Sequence, residues 1–145
     1  MSDNNAVQFE ERRAEIRDRH LLPADKRPAS TARGLHHTAL ISSDVERTVK
    51  FYQDLLGFPL TELIENRDYP GSSHFFFDIG NGNLLAFFDF PGLDVGPYQE
   101  VLGGLHHIAI SVEPAKWAKL RTRLTEAGVE LIADPLGEMY GNHVL

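Results

Sequence analysis

Gly34-Leu35-His36-His37-Thr38-Ala39 and Gly104-Leu105-His106-His107-Ile108-Ala109 place a histidine pair twice in the same apolar frame. Imidazole is the side chain best suited to bind a transition metal or to move a proton near neutral pH. The repetition asks for one structural cause. If both stretches are strands, alternation puts His37 with Ala39 and Ile41 on one face, and His36 with Thr38 and Leu40 on the other. His107 shares a face with Ala109 and Ser111 in the same way. Two duplicated modules meeting about a pseudo-twofold axis would bring His37 and His107 face to face, each beside a small alanine. Converging imidazoles would make a metal site. A pair of hydrogen-bonded core histidines is the other outcome these residues allow.

The surrounding pattern supplies the elements that would hold them. "LHHTALIS" suits a strand. Ser43 and Glu46 form a capping-box signature. Val45, Val49, Tyr52 and Leu56 make the apolar stripe of a helix, and Gly57 stands where a helix should stop. Residues 58–65, 73–80 and 84–90 have strand character, with Asn81-Gly82 as a tight hairpin turn. A Gly/Pro-rich loop follows. Then "LHHIAISV" restarts as a strand, Pro114 suits a first helical position, Trp117, Leu120, Leu124 and Ala127 recur with helical spacing, and Gly128 closes the helix. "VELIAD" is a further strand. Strand, helix and terminal glycine recur in order, so a β-α-β-type unit is duplicated.

Bulk properties narrow the function. The 145 residues suffice for one domain with a real core. There is no cysteine, which excludes disulfides and thiolate ligands. The net charge of −7 argues against a nucleic-acid partner. Residues 1–33 carry seven Lys/Arg against six Asp/Glu, leaving seven against fifteen for the rest. They form a charged arm: residues 9–20 suit a short exposed helix and residues 21–33 a linker or extended arm. No apolar run suits a membrane span or a signal peptide, so no membrane association and a cytoplasmic location are expected.

"GLHHTALISSDVERTVKFYQDLLGFPL" closely resembles the opening module of the vicinal oxygen chelate superfamily, which includes glyoxalase I, extradiol dioxygenases and the bleomycin and fosfomycin resistance proteins. "NGNLLAFFDFPG" looks like that family's module-closing hairpin. The resemblance covers about residues 34–134. It implies an α/β (α+β) domain over 34–145: paired βαβββ modules, 34–92 and 104–145, whose curved mixed sheet surrounds a metal site.

The resemblance also implies the ligands. The second histidine of each pair and a carboxylate in an "ELI"-like strand give His37, His107 and Glu130. Such a facial triad favours Fe(II), and also accepts Mn(II), Ni(II) or Zn(II). Many relatives take a fourth ligand from the last strand of module one. Here the matching position falls near Ala86 or Phe88, neither of which can bind metal. Three protein ligands tilt the expectation toward an extradiol-type dioxygenase acting on a small, catechol-like substrate. A metal-free aromatic-binding protein of the bleomycin-resistance type, or a glyoxalase-like lyase or isomerase, are the alternatives. His74 is a candidate acid/base, Tyr140 a candidate hydrogen-bond donor over the metal, and Phe75, Phe77 and Phe88 are candidate substrate-contacting walls.

The second module departs from the family pattern, since two strands and a hairpin before the final glutamate are missing. Taking Asp134–Gly137 as that hairpin instead would put the ligand position at Gly141, which cannot ligate. A shortened module leaves an open sheet edge, and a homodimer or higher oligomer is therefore expected.

Overall fold

The computed structural model describes residues 3–131, with side chains from residue 7 onward. The chain divides between Arg33 and Gly34 into two units. In the first, helix α1 (Asp3–His20) starts six residues before the expected helix. Its charges stabilise it locally: Glu10 pairs with both Arg13 and Arg17, and Arg12 with Glu15. All three pairs are exposed and screened by water, so each contributes little. Beyond Pro23 only a single 3-10 turn, Ala24–Lys26, interrupts an irregular, exposed stretch. No helix among the described residues is long and apolar enough to cross a membrane.

The second unit opens with β1 (His37–Ile41) and α2 (Val45–Val49), which continues through π-helical turns over Lys50–Leu55. Strands β2 (Leu60–Glu65), β3 (Ser73–Asp78) and β4 (Leu84–Phe88) follow. The anticipated β-α-β-β-β order is therefore present. The N-cap is Asp44 rather than the expected Ser43: its Oδ1 accepts from the Arg47 N–H at 2.9 Å. Asp caps as well as Ser, and its charge also suits the positive end of the helix dipole. Ser42 Oγ accepts from the Asp44 N–H, holding the approach to the helix. Gly57, at φ +80°, ends the helix, and its N–H donates to the Gln53 carbonyl.

The four strands form an open sheet in the order β1-β4-β3-β2. β1 runs parallel to β4, while β3 is antiparallel to both β4 and β2. Asn81 and Gly82 both have positive φ, at 55° and 73°, as a type I′ turn requires, and they set the β3–β4 register. One face of the sheet is the core. Phe75, Phe77, Leu85 and Phe87 are buried there, with Leu40, Val45, Val49, Tyr52 and Phe58 packed against them. The other face presents His37, Ala39 and Ile41 from β1, Leu84, Ala86 and Phe88 from β4, and His74 and Phe76 from β3.

Helix α3 (Pro114–Glu126) has Pro114 in its first turn and buries Leu120 and Leu124. Arg123 reaches from it to the Leu55 carbonyl at 2.9 Å. The helix ends in a Schellman motif: the Gly128 N–H donates to Thr125 and the Val129 N–H to Leu124. Trp117 is half-buried on α3, and its indole Nε1 is sealed from solvent without a hydrogen-bond acceptor among the described residues.

One expected strand is corrected. "LHHIAISV" does not enter a ladder among the described residues. Its burial still alternates as a strand would, with Ile108, Ile110 and Val112 half-buried and His107, Ala109 and Ser111 exposed. Ile108 and Ile110 pack against the Phe-rich core. Side-chain alternation is a local property, whereas a ladder needs a partner backbone, and none lies alongside this segment among the described residues. "VELIAD" runs past them: Val129–Leu131 is irregular, and the remainder lies outside.

Candidate functional site

His37 begins β1 at the exposed margin of the open face, with its ring edge-on to Phe76 at 6.1 Å between centroids. His74 lies on the same face. It stacks on Phe88 at 3.7 Å and 17°, and leans on Phe76 at 4.1 Å. The cross-strand register produces this cluster, since His74 pairs with Phe88 and Phe76 with Ala86. His74 is half-buried, but its Nε2 is sealed from solvent and has no partner among the described residues. Burial pushes its pKa below the ordinary histidine value, and nearby His37 pushes it the same way against the opposing pull of Glu62. Both effects favour the neutral imidazole.

Strand alternation corrects the aromatic assignments. Phe75 and Phe77 are expected to touch substrate, but both are fully buried on the opposite face, in the core. Their neighbours in sequence, His74 and Phe76, take the open face instead. Phe88 lies on the open face as expected. Phe76 is the open-face aromatic that sequence reasoning missed; fixing which alternate positions of "SHFFFD" face the helix would have found it.

The histidine pairs also differ from strict alternation. His36 precedes β1 at a bend, with its carbonyl accepting from the Leu84 N–H of β4, and its Nδ1 lies 2.8 Å from Nδ1 of His37. His36 is thus a contact of His37 rather than a residue of the other face. His106 and His107 repeat the arrangement, again with Nδ1 atoms 2.8 Å apart. Ring separations are 5.1 and 5.0 Å, and interplanar angles 79° and 82°.

His107 is exposed on its unpaired extended segment, and Glu130 is exposed two residues beyond Gly128. Tyr140 lies outside the described residues. Among the described residues no group of three metal-ligating side chains comes together. Two open grooves are present. One of about 630 Å³ runs along α3, and one of about 410 Å³ lies beyond β1 and β4 between Ile41 and Phe90. Neither is lined by His37 or His74.

The donors themselves suit a divalent metal. In both pairs the Nδ1 atom is engaged by the neighbouring ring, which leaves Nε2 of His37 and His107 as the ring nitrogen free to take a ligand role. β4 adds no donor on the open face.

Over residues 34–144 the sequence matches the Glyoxalase/Bleomycin resistance protein/Dioxygenase superfamily. The chain belongs to this superfamily. One relative in it is the "Putative ring-cleaving dioxygenase MhqE" of Bacillus subtilis, 31% identical over 101 residues. That match takes in 68% of this chain but 33% of the relative, so the chain spans about a third of that protein's length. The trypanothione-dependent glyoxalase I of Leishmania major superposes with a TM-score of 0.58 at 23% identity, over 71% of this chain and 72% of that one. The fosfomycin resistance protein FosX of Listeria monocytogenes, solved with Mn(II) and a dihydroxypropylphosphonic acid, superposes at 0.52 with 21% identity, over 74% of this chain and 80% of that one. These two structures establish the vicinal oxygen chelate fold. The FosX relative thus holds a divalent metal together with a small molecule.

Proposed function

We propose that this superfamily member is a metal-dependent enzyme that binds the vicinal oxygens of a small catechol-like substrate and, with Fe(II) and O2, cleaves its ring. The observation that carries this reading is what the open face lacks and what it offers. β4 presents Leu84, Ala86 and Phe88 there, with no ligating atom among them. The family resemblance supplies His37, His107 and Glu130 as the residues that would hold the metal, and a set of three would leave room for substrate and O2. A bound divalent metal supplies charge stabilisation at the substrate oxygens and, as Fe(II), a place for O2. Phe76 and Phe88 offer apolar walls to an aromatic ring. His74, on the same face as His37, is the candidate acid/base for a substrate hydroxyl. Tyr140, which lies outside the described residues, is the candidate hydrogen-bond donor over the metal. The kinship with a protein named for ring cleavage supports the same reading.

Protein loaded with Fe(II) should consume O2 when given a catechol, and should show little isomerisation of the glutathione–methylglyoxal adduct. Glyoxalase turnover without O2 would refute the assignment. Tight binding of an aromatic ligand by metal-free protein that lacks turnover would favour the sequestering alternative.

The site is also proposed to assemble in a homodimer or higher oligomer. Its three donors are not gathered among the described residues, β1 forms one sheet edge, and the segment around Ile108 has strand alternation without a strand partner. A second chain would supply such a partner. Light scattering at micromolar concentration should give at least twice the 16.3 kDa chain mass. A fully active monomer would rule this assembly out.

A further inference from the structure

The trailing histidine of each pair is the proposed ligand, which leaves the leading one without a role. His36 and His106 are both exposed, so neither is there to fill a core. Yet each sets its Nδ1 2.8 Å from Nδ1 of the following histidine. The two pairs share their ring separation and their near-perpendicular angle. They do so although His37 lies on a paired strand and His107 on an unpaired segment. The geometry is therefore a property of the pair and not of the ladder around it.

A hydrogen bond between two Nδ1 atoms needs one donor and one acceptor. If the leading ring donates, the trailing ring carries its proton on Nε2 and cannot ligate through that atom. If the trailing ring donates, its Nε2 lone pair is free and points away from the contact. In the second pair the surroundings favour the latter polarity. Glu100 Oε1 lies 3.6 Å from Nε2 of His106. That separation is longer than a hydrogen bond, but the carboxylate's charge favours the His106 proton on Nε2, the tautomer that makes Nδ1 an acceptor for the Nδ1–H of His107.

We propose that His36 and His106 are positioning residues: each accepts the Nδ1–H of the next histidine and turns its Nε2 lone pair out toward a divalent metal, with Glu100 steering the second pair. This rests on the metal reading above, but the hydrogen-bond polarity exists without metal and can be read without it. Partners of this kind around a metal-bound imidazole fix its tautomer and raise its basicity. Neither His36 nor His106 touches the metal or substrate. Loss of either should leave folding intact, because an exposed hydrogen bond contributes little to stability.

The experiment is a proton–nitrogen correlation spectrum of the imidazole rings of metal-free protein. It is recorded near pH 8, above the ordinary histidine pKa of about 6.5. Single histidine variants assign the signals. His37 and His107 should hold the Nδ1–H tautomer, and His36 and His106 the Nε2–H tautomer. His36→Ala should return His37 to the Nε2–H form, whereas His36→Asn, which keeps an acceptor oxygen, should preserve Nδ1–H. Glu100→Gln should weaken the preference at His107 and leave His37 unchanged. An Nε2–H proton on His37 in the wild type, or no change at His37 in His36→Ala, overturns the proposal. Mn(II) competition against a chromophoric chelator supplies the second readout: His36→Ala and His106→Ala should each lose about 10- to 100-fold in affinity, with His36→Asn close to wild type. Wild-type affinity in both alanine variants also overturns it. The expected tautomers in a protein that binds no Mn(II) would instead overturn the metal reading alone.

Discussion

His37→Ala and His107→Ala are each expected to abolish stable binding of divalent metal, lowering affinity by more than about 100-fold. That floor is set by what removing an outer partner costs a metal site, about 10- to 100-fold. Removing a ligand withdraws a bond to the metal itself, so the effect must be larger. Elemental analysis should show close to one metal per chain in the wild type and almost none in either variant. Glu130→Ala should also lose metal if the "ELI" context marks the third ligand. His74→Ala provides the contrast. Its ring shares the open face with His37 but is held between Phe88 and Phe76, so this variant should keep its metal and lose turnover. Full metal occupancy in His107→Ala would remove the duplicated histidine from the site.

Phe77→Ala should destabilise the folded protein by about 3–5 kcal/mol, as large-to-small changes of buried aromatics do. Its ring is fully buried and packs against Phe75, Phe87 and Tyr52. The loss is a large fraction of the roughly 5–15 kcal/mol by which domains are stable. Phe76→Ala, one residue away, removes a half-buried ring from the open face and should cost much less. Denaturant unfolding of the two variants compares the two faces of β3 directly. Equal losses would mean that the assignment of faces is wrong.

Local chemistry was the most legible part of this fold. Asn81-Gly82 announces its turn because few residues accept two consecutive positive φ angles. Gly57 and Gly128 mark helix ends for a related reason, and Pro114 marks a start. The His37 face is correctly derived from alternation, because β1 does pair. Alternation failed at His36, which lies just outside the strand, and no residue-level signal marks where a ladder begins. It also left the burial of Phe75 and Phe77 undecided. Five of the six residues in "SHFFFD" are apolar, aromatic or small enough for either face, and the helix that covers one of them comes from elsewhere in the chain. The strand expected at "LHHIAISV" has the right pattern and no partner among the described residues. Whether a segment with strand alternation becomes a strand depends on a backbone far away in sequence. The family resemblance carried the fold correctly because it encodes such long-range pairings, which periodicity does not.

Trp117 gives the molecule a built-in optical bias. It is the single tryptophan of the chain. It sits on α3, which buries Leu120 and Leu124 and is tied to the Leu55 carbonyl through Arg123, and its Nε1 is shielded from water. Its emission therefore responds to the undocking of that helix. A fluorescence melt reports the second module, while backbone circular dichroism averages over both. Coincident transitions would mean that the two duplicated modules unfold together; an earlier fluorescence transition would mean that the α3 end opens while the sheet bearing His37 and His74 is still intact.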